Sequence, residues 1–120
     1  MKLLIVDDHA SFRRLIGDVL ASISLEIYEC SDGQHTLHAY ELHRPDVVLM
    51  DVAMRSVNGI TATASLVAAH PEARVVMVTN YDEMDLRDAA RAAGACGYVV
   101  KDNLFELRRV LEHITGLKAP

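Results

Sequence analysis

The chain has 120 residues, of which 51% are hydrophobic and 24% are charged, and its formal net charge at pH 7 is −5. This length and composition are typical of one globular domain, and they argue against a disordered, collagenous or coiled-coil chain. The net negative charge argues against a free-standing nucleic-acid binder, because such proteins gain affinity by neutralising phosphates.

A strand and an amphipathic helix are predicted at the start of the chain. The run Lys2–Val6 is apolar after its lysine and stops at Asp7 and Asp8, which is typical of a short strand. Apolar side chains then recur at intervals of three and four residues, as on a helix with one face in a core. These side chains belong to Phe12, Leu15, Ile16, Val19 and Leu20.

An edge strand and a central strand are predicted next. Residues 25–30 alternate, with Leu25 and Ile27 pointing inward, which suits a partly exposed edge strand. A helix with weaker signals follows. Residues 46–50 then form a near-continuous apolar run that ends at Asp51, as in the centre of a parallel sheet.

The second half of the chain repeats this alternation. An alanine-rich helix is predicted over residues 60–69, and an apolar strand over 74–78 ends at Thr79. The next helix is predicted over 82–93, with its first residue, an aspartate, as the N-cap.

The last strand and helix complete the pattern. The strand is predicted over 98–100 and ends at Lys101, and Asp102 or Asn103 would cap the final helix. That helix presents Leu104, Leu107, Leu111 and Ile114 on one face.

Five strands that alternate with helices in short units predict a parallel sheet covered on both faces. We expect an α/β fold with a five-stranded parallel sheet in the order 2-1-3-4-5, the flavodoxin-like (βα)5 arrangement, from the number of strands and the chain length. One domain is expected over residues 1–120, because no linker or low-complexity tract interrupts the pattern.

No apolar run has the length of a membrane span and no secretory segment opens the chain, so we expect a cytoplasmic protein.

The residues that end the strands are the candidate site. In such a sheet, ligands bind beyond the carboxyl ends of the strands, at the crevice between strands 1 and 3. The residues at these ends are Asp7, Asp8, Asp51, Thr79 and Lys101. Three carboxylates at one edge repel each other unless a cation compensates their charge, and oxygen ligands suit Mg²⁺. A divalent ion, a lysine and a hydroxyl beside an aspartate are the groups that phosphoryl transfer to that aspartate requires.

Each of these residues also has an ordinary structural interpretation. Asp8 alone could cap the first helix, and Asp51 alone could be an acid in a loop. Thr79 could be a strand-end hydroxyl and Lys101 a solvated lysine. The combined pattern favours the functional interpretation, because four of the five strands end in chemically complementary groups at one edge of the sheet.

Five motifs in chain order carry a resemblance to a known family. They are Ile-Val-Asp-Asp at 5–8, Val-Leu-Met-Asp at 48–51, Met54 with Gly59 behind it, Val-Thr at 78–79 and Gly-Tyr-Val-Val-Lys at 97–101. With these motifs the chain resembles, over its whole length, the receiver domains of two-component response regulators.

The resemblance implies that Asp51 accepts a phosphoryl group from a sensor histidine kinase. It also implies that Asp7 and Asp8 help to bind Mg²⁺, together with Asp51 and the backbone carbonyl of Ala53. On this basis the chain is a signalling domain that catalyses only its own phosphoryl transfer and dephosphorylation.

The resemblance assigns roles to residues farther along the chain as well. Thr79 and Lys101 would contact the phosphoryl group, and Tyr98 would be the aromatic side chain that changes rotamer on activation. Val-Asp-Asp-His at 6–9 and Lys-Asp at 101–102 are most similar to regulators with a LuxR-like helix-turn-helix output. We therefore expect control of transcription, with DNA bound only through an output domain that this chain lacks, and we also consider a homodimer formed on phosphorylation.

Three residues depart from the family pattern. Arg55 stands where a proline usually follows Met54, and Asn80 follows Thr79 where a small residue is usual. Asp102 replaces the proline that often follows the lysine, so a cis peptide is not expected there. None of these changes removes a group that the reaction requires.

Rival phosphate-related folds lack their motifs in this sequence. Neither the Gly-x-Gly-x-x-Gly of a Rossmann enzyme nor the Gly-Lys-Ser/Thr of a P-loop follows the first strand. A haloacid-dehalogenase-like phosphatase would need an aspartate at Ala53, and a cobalamin module would need a glycine at Phe12. The alternative that stays open is a receiver-like interaction module that does not turn over phosphate.

Overall fold

The computed structural model describes residues 1–23 and 25–116. In these residues the strands are β1 (Lys2–Val6), β2 (Glu26–Cys30), β3 (Val47–Met50), β4 (Val75–Thr79) and β5 (Gly97–Val100). The helices are α1 (Ala10–Val19), α2 (Thr36–His43), α3 (Gly59–Ala69), α4 (Met84–Ala93) and α5 (Phe105–Thr115), and a 3-10 turn (Lys101–Asn103) precedes α5. Among the described helices, none is long and apolar enough to cross a membrane.

The five strands form one parallel sheet in the order β2-β1-β3-β4-β5, which confirms the predicted α/β, flavodoxin-like fold. β1 lies directly beside β3, with Val6 opposite Met50. The residue after each strand, Asp7 and Asp51, therefore emerges at the same edge of the sheet. The pairing continues past the strand end, because the Asp51 N–H donates a 3.0 Å hydrogen bond to the carbonyl oxygen of Val6.

The central strands β1, β3 and β4 are buried on both faces after Lys2, with successive side chains on opposite sides, whereas the edge strand β2 is largely exposed. In β3, Val47 and Leu49 face one hydrophobic cluster and Val48 and Met50 face the other. Helices α1 and α5 cover the first cluster with Ile16, Leu20, Leu107 and Leu111. Helices α2, α3 and α4 cover the second cluster with Tyr40, Ala62, Leu66 and Ala90. Each fully buried leucine in these layers contributes roughly 1.5–3 kcal/mol to stability.

Two residues that were predicted to face the core are exposed. Leu15 is 45% exposed, because it lies at the margin of the α1 stripe, about 100° around the helix from the buried Ile16. Ile27 is 38% exposed on the edge strand β2. Its neighbour on α1 is Gly17, which has no side chain to cover it.

The helix caps also differ from the sequence prediction. The N-cap of α4 is Glu83, not Asp82, because Asp82 instead forms a 2.6 Å ion pair with Arg87. The N-cap of α5 is Leu104, because the 3-10 turn occupies the positions of Asp102 and Asn103. Neither N-cap forms a side-chain capping hydrogen bond.

The loop between β3 and α3 is held tightly against the end of β3. The Gly59 N–H donates a 2.8 Å hydrogen bond to the carbonyl oxygen of Val52. The Asn58 side chain caps α3 by accepting a 2.9 Å hydrogen bond from the N–H of Thr61. A Cβ atom at Gly59 would overlap the backbone carbonyl of Asp51, so this position requires glycine for close approach.

We predict that Gly59→Ala lowers the free energy of unfolding by about 2 kcal/mol, because the added methyl group must displace backbone atoms. The matched control is Gly17→Ala in the interior of α1, where the nearest atom to an added methyl group is Ile27 Cδ1 at 3.8 Å. This control is expected to raise stability by up to about 1 kcal/mol. Urea unfolding followed by circular dichroism measures both, and a Gly59→Ala protein as stable as wild type would contradict the prediction.

Candidate functional site

Three aspartates meet at the carboxyl edge of β1 and β3. Asp7 follows β1 and is 2% exposed, and Asp51 follows β3 and is 5% exposed. Asp8 is next in the chain and its side chain is 13% exposed. Two neighbouring strands of a parallel sheet thus place three nearly buried carboxylates together, as the sequence predicted.

Lys101 supplies the positive charge that this cluster needs. It follows β5, and its Nζ lies 2.9 Å from Asp7 Oδ2 and 3.5 Å from Asp51 Oδ2. The lysine side chain is 9% exposed, and its ammonium group lies 4.0 Å from the centre of the Phe12 ring. Such a position over an aromatic face also stabilises a cation. Lys101 is therefore a largely buried residue of the site and not a solvated surface lysine.

The pKa of Asp51 is raised above the ordinary value of an aspartate. Burial is the main cause, because it disfavours the charged carboxylate. Lys101 opposes the shift by its positive charge and its hydrogen bond, whereas the negative charge of Asp7 adds to it. The N–H of Ala53 donates a hydrogen bond to the carboxylate, which also opposes the shift.

Asp8 has a buried oxygen, Oδ1, without a hydrogen-bond partner. His9 Nδ1 lies 2.9 Å from this oxygen, though not in hydrogen-bonding geometry, and Arg55 Nε lies 3.9 Å from Asp8 Oδ2. Asp8 is not the N-cap of α1, because the N-cap is His9, whose side chain forms no capping hydrogen bond. A buried carboxylate oxygen without a partner is costly in water-free surroundings, and a cation would satisfy it.

The site residues fit a divalent cation. Asp7, Asp8, His9 and Asp51 each offer one ligand atom, and these atoms all lie within 4.8 Å of one another. Hard carboxylate oxygens are the protein ligands that Mg²⁺ accepts. The carbonyl of Ala53 as a further ligand stays a prediction.

Thr79 and Tyr98 are connected through one backbone segment, that of Tyr81. Thr79 ends β4 and is fully buried, and its Oγ1 accepts a 3.4 Å hydrogen bond from the N–H of Tyr81. The Tyr98 hydroxyl donates a 2.6 Å hydrogen bond to the carbonyl oxygen of Tyr81. The guanidinium of Arg87 lies 4.6 Å from the centre of the Tyr98 ring. The backbone of Tyr81 thus links the end of β4 to the tyrosine of β5.

A surface pocket opens beside the acid cluster, which consists of Asp7, Asp8 and Asp51. Its lining consists of His9, Ser11, Phe12, Asn80, Lys101 and Asp102. Two of the three departures from the family pattern, Asn80 and Asp102, therefore border this opening, and both are exposed.

The sequence pattern included His9 in the motif Val-Asp-Asp-His at 6–9 but gave it no role at the site. Its position directly after two aspartates, at the start of a helix, was the available signal. Phe12 was predicted only as a core residue, although its ring also lies under the ammonium group of Lys101.

Comparison with known proteins identifies relatives over nearly the whole chain. Residues 3–115 match the family model described as the response regulator receiver domain. The transcriptional regulatory protein PdtaR of Mycobacterium tuberculosis is 41% identical over 101 residues, which cover 83% of this chain and 49% of that protein. The chain thus spans about half the length of this relative.

Two solved structures have the same fold. CheY of Borrelia burgdorferi, crystallised as a CheX–CheY–BeF3–Mg²⁺ complex, has a TM-score of 0.86 and 26% identity, covering 98% of this chain and 90% of that chain. A LuxR-family two-component response regulator from Aurantimonas sp. SI85-9A1 has a TM-score of 0.83 and 27% identity, covering 99% of this chain and 88% of that chain. The second likeness agrees with the LuxR-like resemblance of the sequence.

We predict that Asp51→Asn stabilises the metal-free protein at neutral pH. Since the pKa of Asp51 is raised on folding, its ionised form lowers stability above that raised pKa, and the cost disappears below the ordinary carboxyl value of about 4. The expected gain in the free energy of unfolding at pH 7 is on the order of 1 kcal/mol, and it shrinks as the pH falls to about 4.

Urea unfolding in a chelator at several pH values measures this gain. Asp88→Asn, at an exposed position on α4, is the matched control and should change stability by less than about 0.5 kcal/mol at every pH. An Asp51→Asn protein that is less stable than wild type at pH 7 would refute the raised pKa.

Proposed function

Because the chain belongs to the response regulator receiver domain family, we propose that it accepts a phosphoryl group on Asp51 from a sensor histidine kinase, with Mg²⁺ as cofactor. Phosphorylation then changes the conformation of the domain to control an output. The observation that carries the proposal is the position of Lys101, whose ammonium group lies within 3.5 Å of Asp51 and within 2.9 Å of Asp7. The carboxylate proposed as the nucleophile thus lies beside a buried positive charge.

The transfer requires little of the protein beyond position and charge. An oxygen of the Asp51 carboxylate attacks phosphorus, the new O–P bond forms, and the bond from phosphorus to the donor breaks as the donor leaves. Lys101 compensates the negative charge that gathers on the phosphoryl oxygens. Hydrolysis of the aspartyl phosphate by water completes the cycle, so the domain catalyses only its own phosphorylation and dephosphorylation.

Mg²⁺ would be held by Asp7, Asp8, Asp51 and the backbone carbonyl of Ala53. Support comes from the partnerless buried oxygen of Asp8 and from the closeness of the carboxylates. When bound, the ion supplies positive charge to the phosphoryl oxygens and relieves the repulsion among the aspartates. The BeF3–Mg²⁺ complex of the Borrelia relative is consistent with this assignment.

Thr79 and Tyr98 are proposed to transmit the change. In this scheme the Thr79 hydroxyl moves to a phosphoryl oxygen and gives up its contact with the N–H of Tyr81. The Tyr81 carbonyl also holds the Tyr98 hydroxyl, so movement of this backbone segment frees the tyrosine to change rotamer. The bistable element is the loop after β4 together with α4.

The partners and location follow from the family and not from contacts in this chain. We propose that the output is transcription, that DNA is bound only by an output domain outside this chain, and that the protein is cytoplasmic. Pairing of two phosphorylated copies is a further part of the proposal. It is supported by the large exposed apolar side chains of Met84 and Phe105, which are 73% and 92% exposed.

We predict that Asp51 is the sole phospho-acceptor. Incubation with Mg²⁺ and acetyl phosphate should add one phosphoryl group to wild type and to the control Asp88→Asn, and none to Asp51→Asn, as measured by intact-protein mass spectrometry. A phosphorylated Asp51→Asn protein would exclude the assignment. A wild-type protein that binds neither the phosphoryl group nor beryllofluoride with Mg²⁺ would favour the interaction module that does not turn over phosphate.

We predict that Thr79→Ala is still phosphorylated but loses most of the conformational change in α4, because the hydroxyl is the group that leaves Tyr81 for the phosphoryl oxygen. NMR amide chemical shifts of α4, recorded before and after addition of Mg²⁺ and beryllofluoride, measure the change. Thr61→Ala, at an exposed position on α3, is the matched control and should respond as wild type does. Full shift changes in Thr79→Ala would refute the coupling.

A further inference from the structure

His9 approaches the acid cluster through a single ring nitrogen. Nδ1 forms a 3.2 Å hydrogen bond with Asp7 Oδ1 and lies 2.9 Å from Asp8 Oδ1. The ring is held there by its own backbone, because the N–H of His9 donates a 2.8 Å hydrogen bond to Asp7 Oδ1. The other side of the histidine is open, with 64% of its side chain exposed.

The two separations are those of a hydrogen bond and an ion pair, and they also match the spacing of neighbouring ligands around one metal ion. Ligand atoms about 2.1 Å from an octahedral ion lie about 3 Å apart when adjacent and about 4.2 Å apart when opposite. The distances from Nδ1 to the two carboxylate oxygens match the adjacent spacing. The full set of ligand atoms, with Asp51 included, lies within 4.8 Å, so small side-chain movements bring all four to one ion.

The state of Asp8 gives an independent reason to place a cation between these groups. Its Oδ1 is buried and has no hydrogen-bond partner, although the imidazole nitrogen lies 2.9 Å away. The histidine therefore does not satisfy this oxygen by a hydrogen bond. A cation that both atoms ligate would satisfy the oxygen.

We propose that His9 Nδ1 is a ligand of the divalent cation site, and that it makes the site prefer Mn²⁺, Co²⁺ and Ni²⁺ over Mg²⁺. The inference rests on the cation site of the proposed function and adds a nitrogen ligand to it. Mg²⁺ accepts oxygen ligands and gains little from an imidazole, whereas the transition-metal ions bind imidazole well. The histidine thus raises the affinity for the transition-metal ions, while the aspartates provide the charge that any divalent cation, Mg²⁺ included, needs.

The first measurement is the affinity of the whole chain for Ni²⁺ and for Mg²⁺, each added alone, by titration calorimetry at one fixed pH. His9→Gln is expected to lower the Ni²⁺ affinity by about tenfold or more and to change the Mg²⁺ affinity by less than about threefold. The matched control is His35→Gln, because His35 Nδ1 also lies 2.8 Å from an aspartate, Asp32, but only one carboxylate is near it. Equal losses for both metals, or none for Ni²⁺, would overturn the proposal.

The second measurement begins with the wild-type protein. Pulsed electron paramagnetic resonance of bound Mn²⁺ should detect a directly coordinated imidazole nitrogen, whose coupling changes when the histidines carry ¹⁵N. The same coupling should remain in His35→Gln and be absent from His9→Gln. A Mn²⁺ spectrum of wild type without nitrogen coupling would refute the ligand assignment even if His9→Gln fails to fold.

The two proposals fail in different ways. A wild-type protein that binds Mg²⁺ and is phosphorylated on Asp51, but has no nitrogen coupling to Mn²⁺, would remove the role of His9 and leave the proposed function intact. A protein that binds neither Mg²⁺ nor Mn²⁺ and is not phosphorylated would remove both.

Discussion

The ion pair between Lys101 and Asp7 is the interaction on which the site depends. Its 2.9 Å contact joins residues 94 positions apart, at the ends of β5 and β1. Both side chains are at least nine-tenths buried, so each would be a costly lone charge without the other. Because the same ammonium group also reaches Asp51, one lysine compensates two carboxylates that the sheet brings together.

The parallel sheet explains why these charges meet at all. Two-sided burial keeps the central strands β1, β3 and β4 apolar between their ends, so their polar side chains lie where a strand begins or ends. The order of the strands then places the end of β1 beside the end of β3, with Asp7 and Asp51 in adjacent positions. The hydrophobic layers that stabilise the fold thereby also concentrate the chemistry at one edge.

The buried carboxylates of the site lower the stability of the metal-free protein. Burial raises the pKa of Asp51, and Asp8 keeps a buried oxygen without a hydrogen-bond partner. Groups of this kind are common where a protein binds a ligand, because the ligand supplies the interactions that the free protein lacks. A cation between Asp8, His9 and the other aspartates would relieve both costs.

The sequence by itself determined the strands, the α/β class, the strand order and the site aspartates, because apolar runs and the residues that end them are local features. Only the tertiary structure decided that Lys101 pairs with Asp7, because that contact depends on how distant strand ends are placed side by side. The contacts of His9 likewise depend on the turn after β1, which no periodicity records. Leu15 and Ile27 were wrongly predicted to be buried. Burial depends on which side chains of a neighbouring element pack against a residue, and Gly17 of α1 has no side chain to cover Ile27.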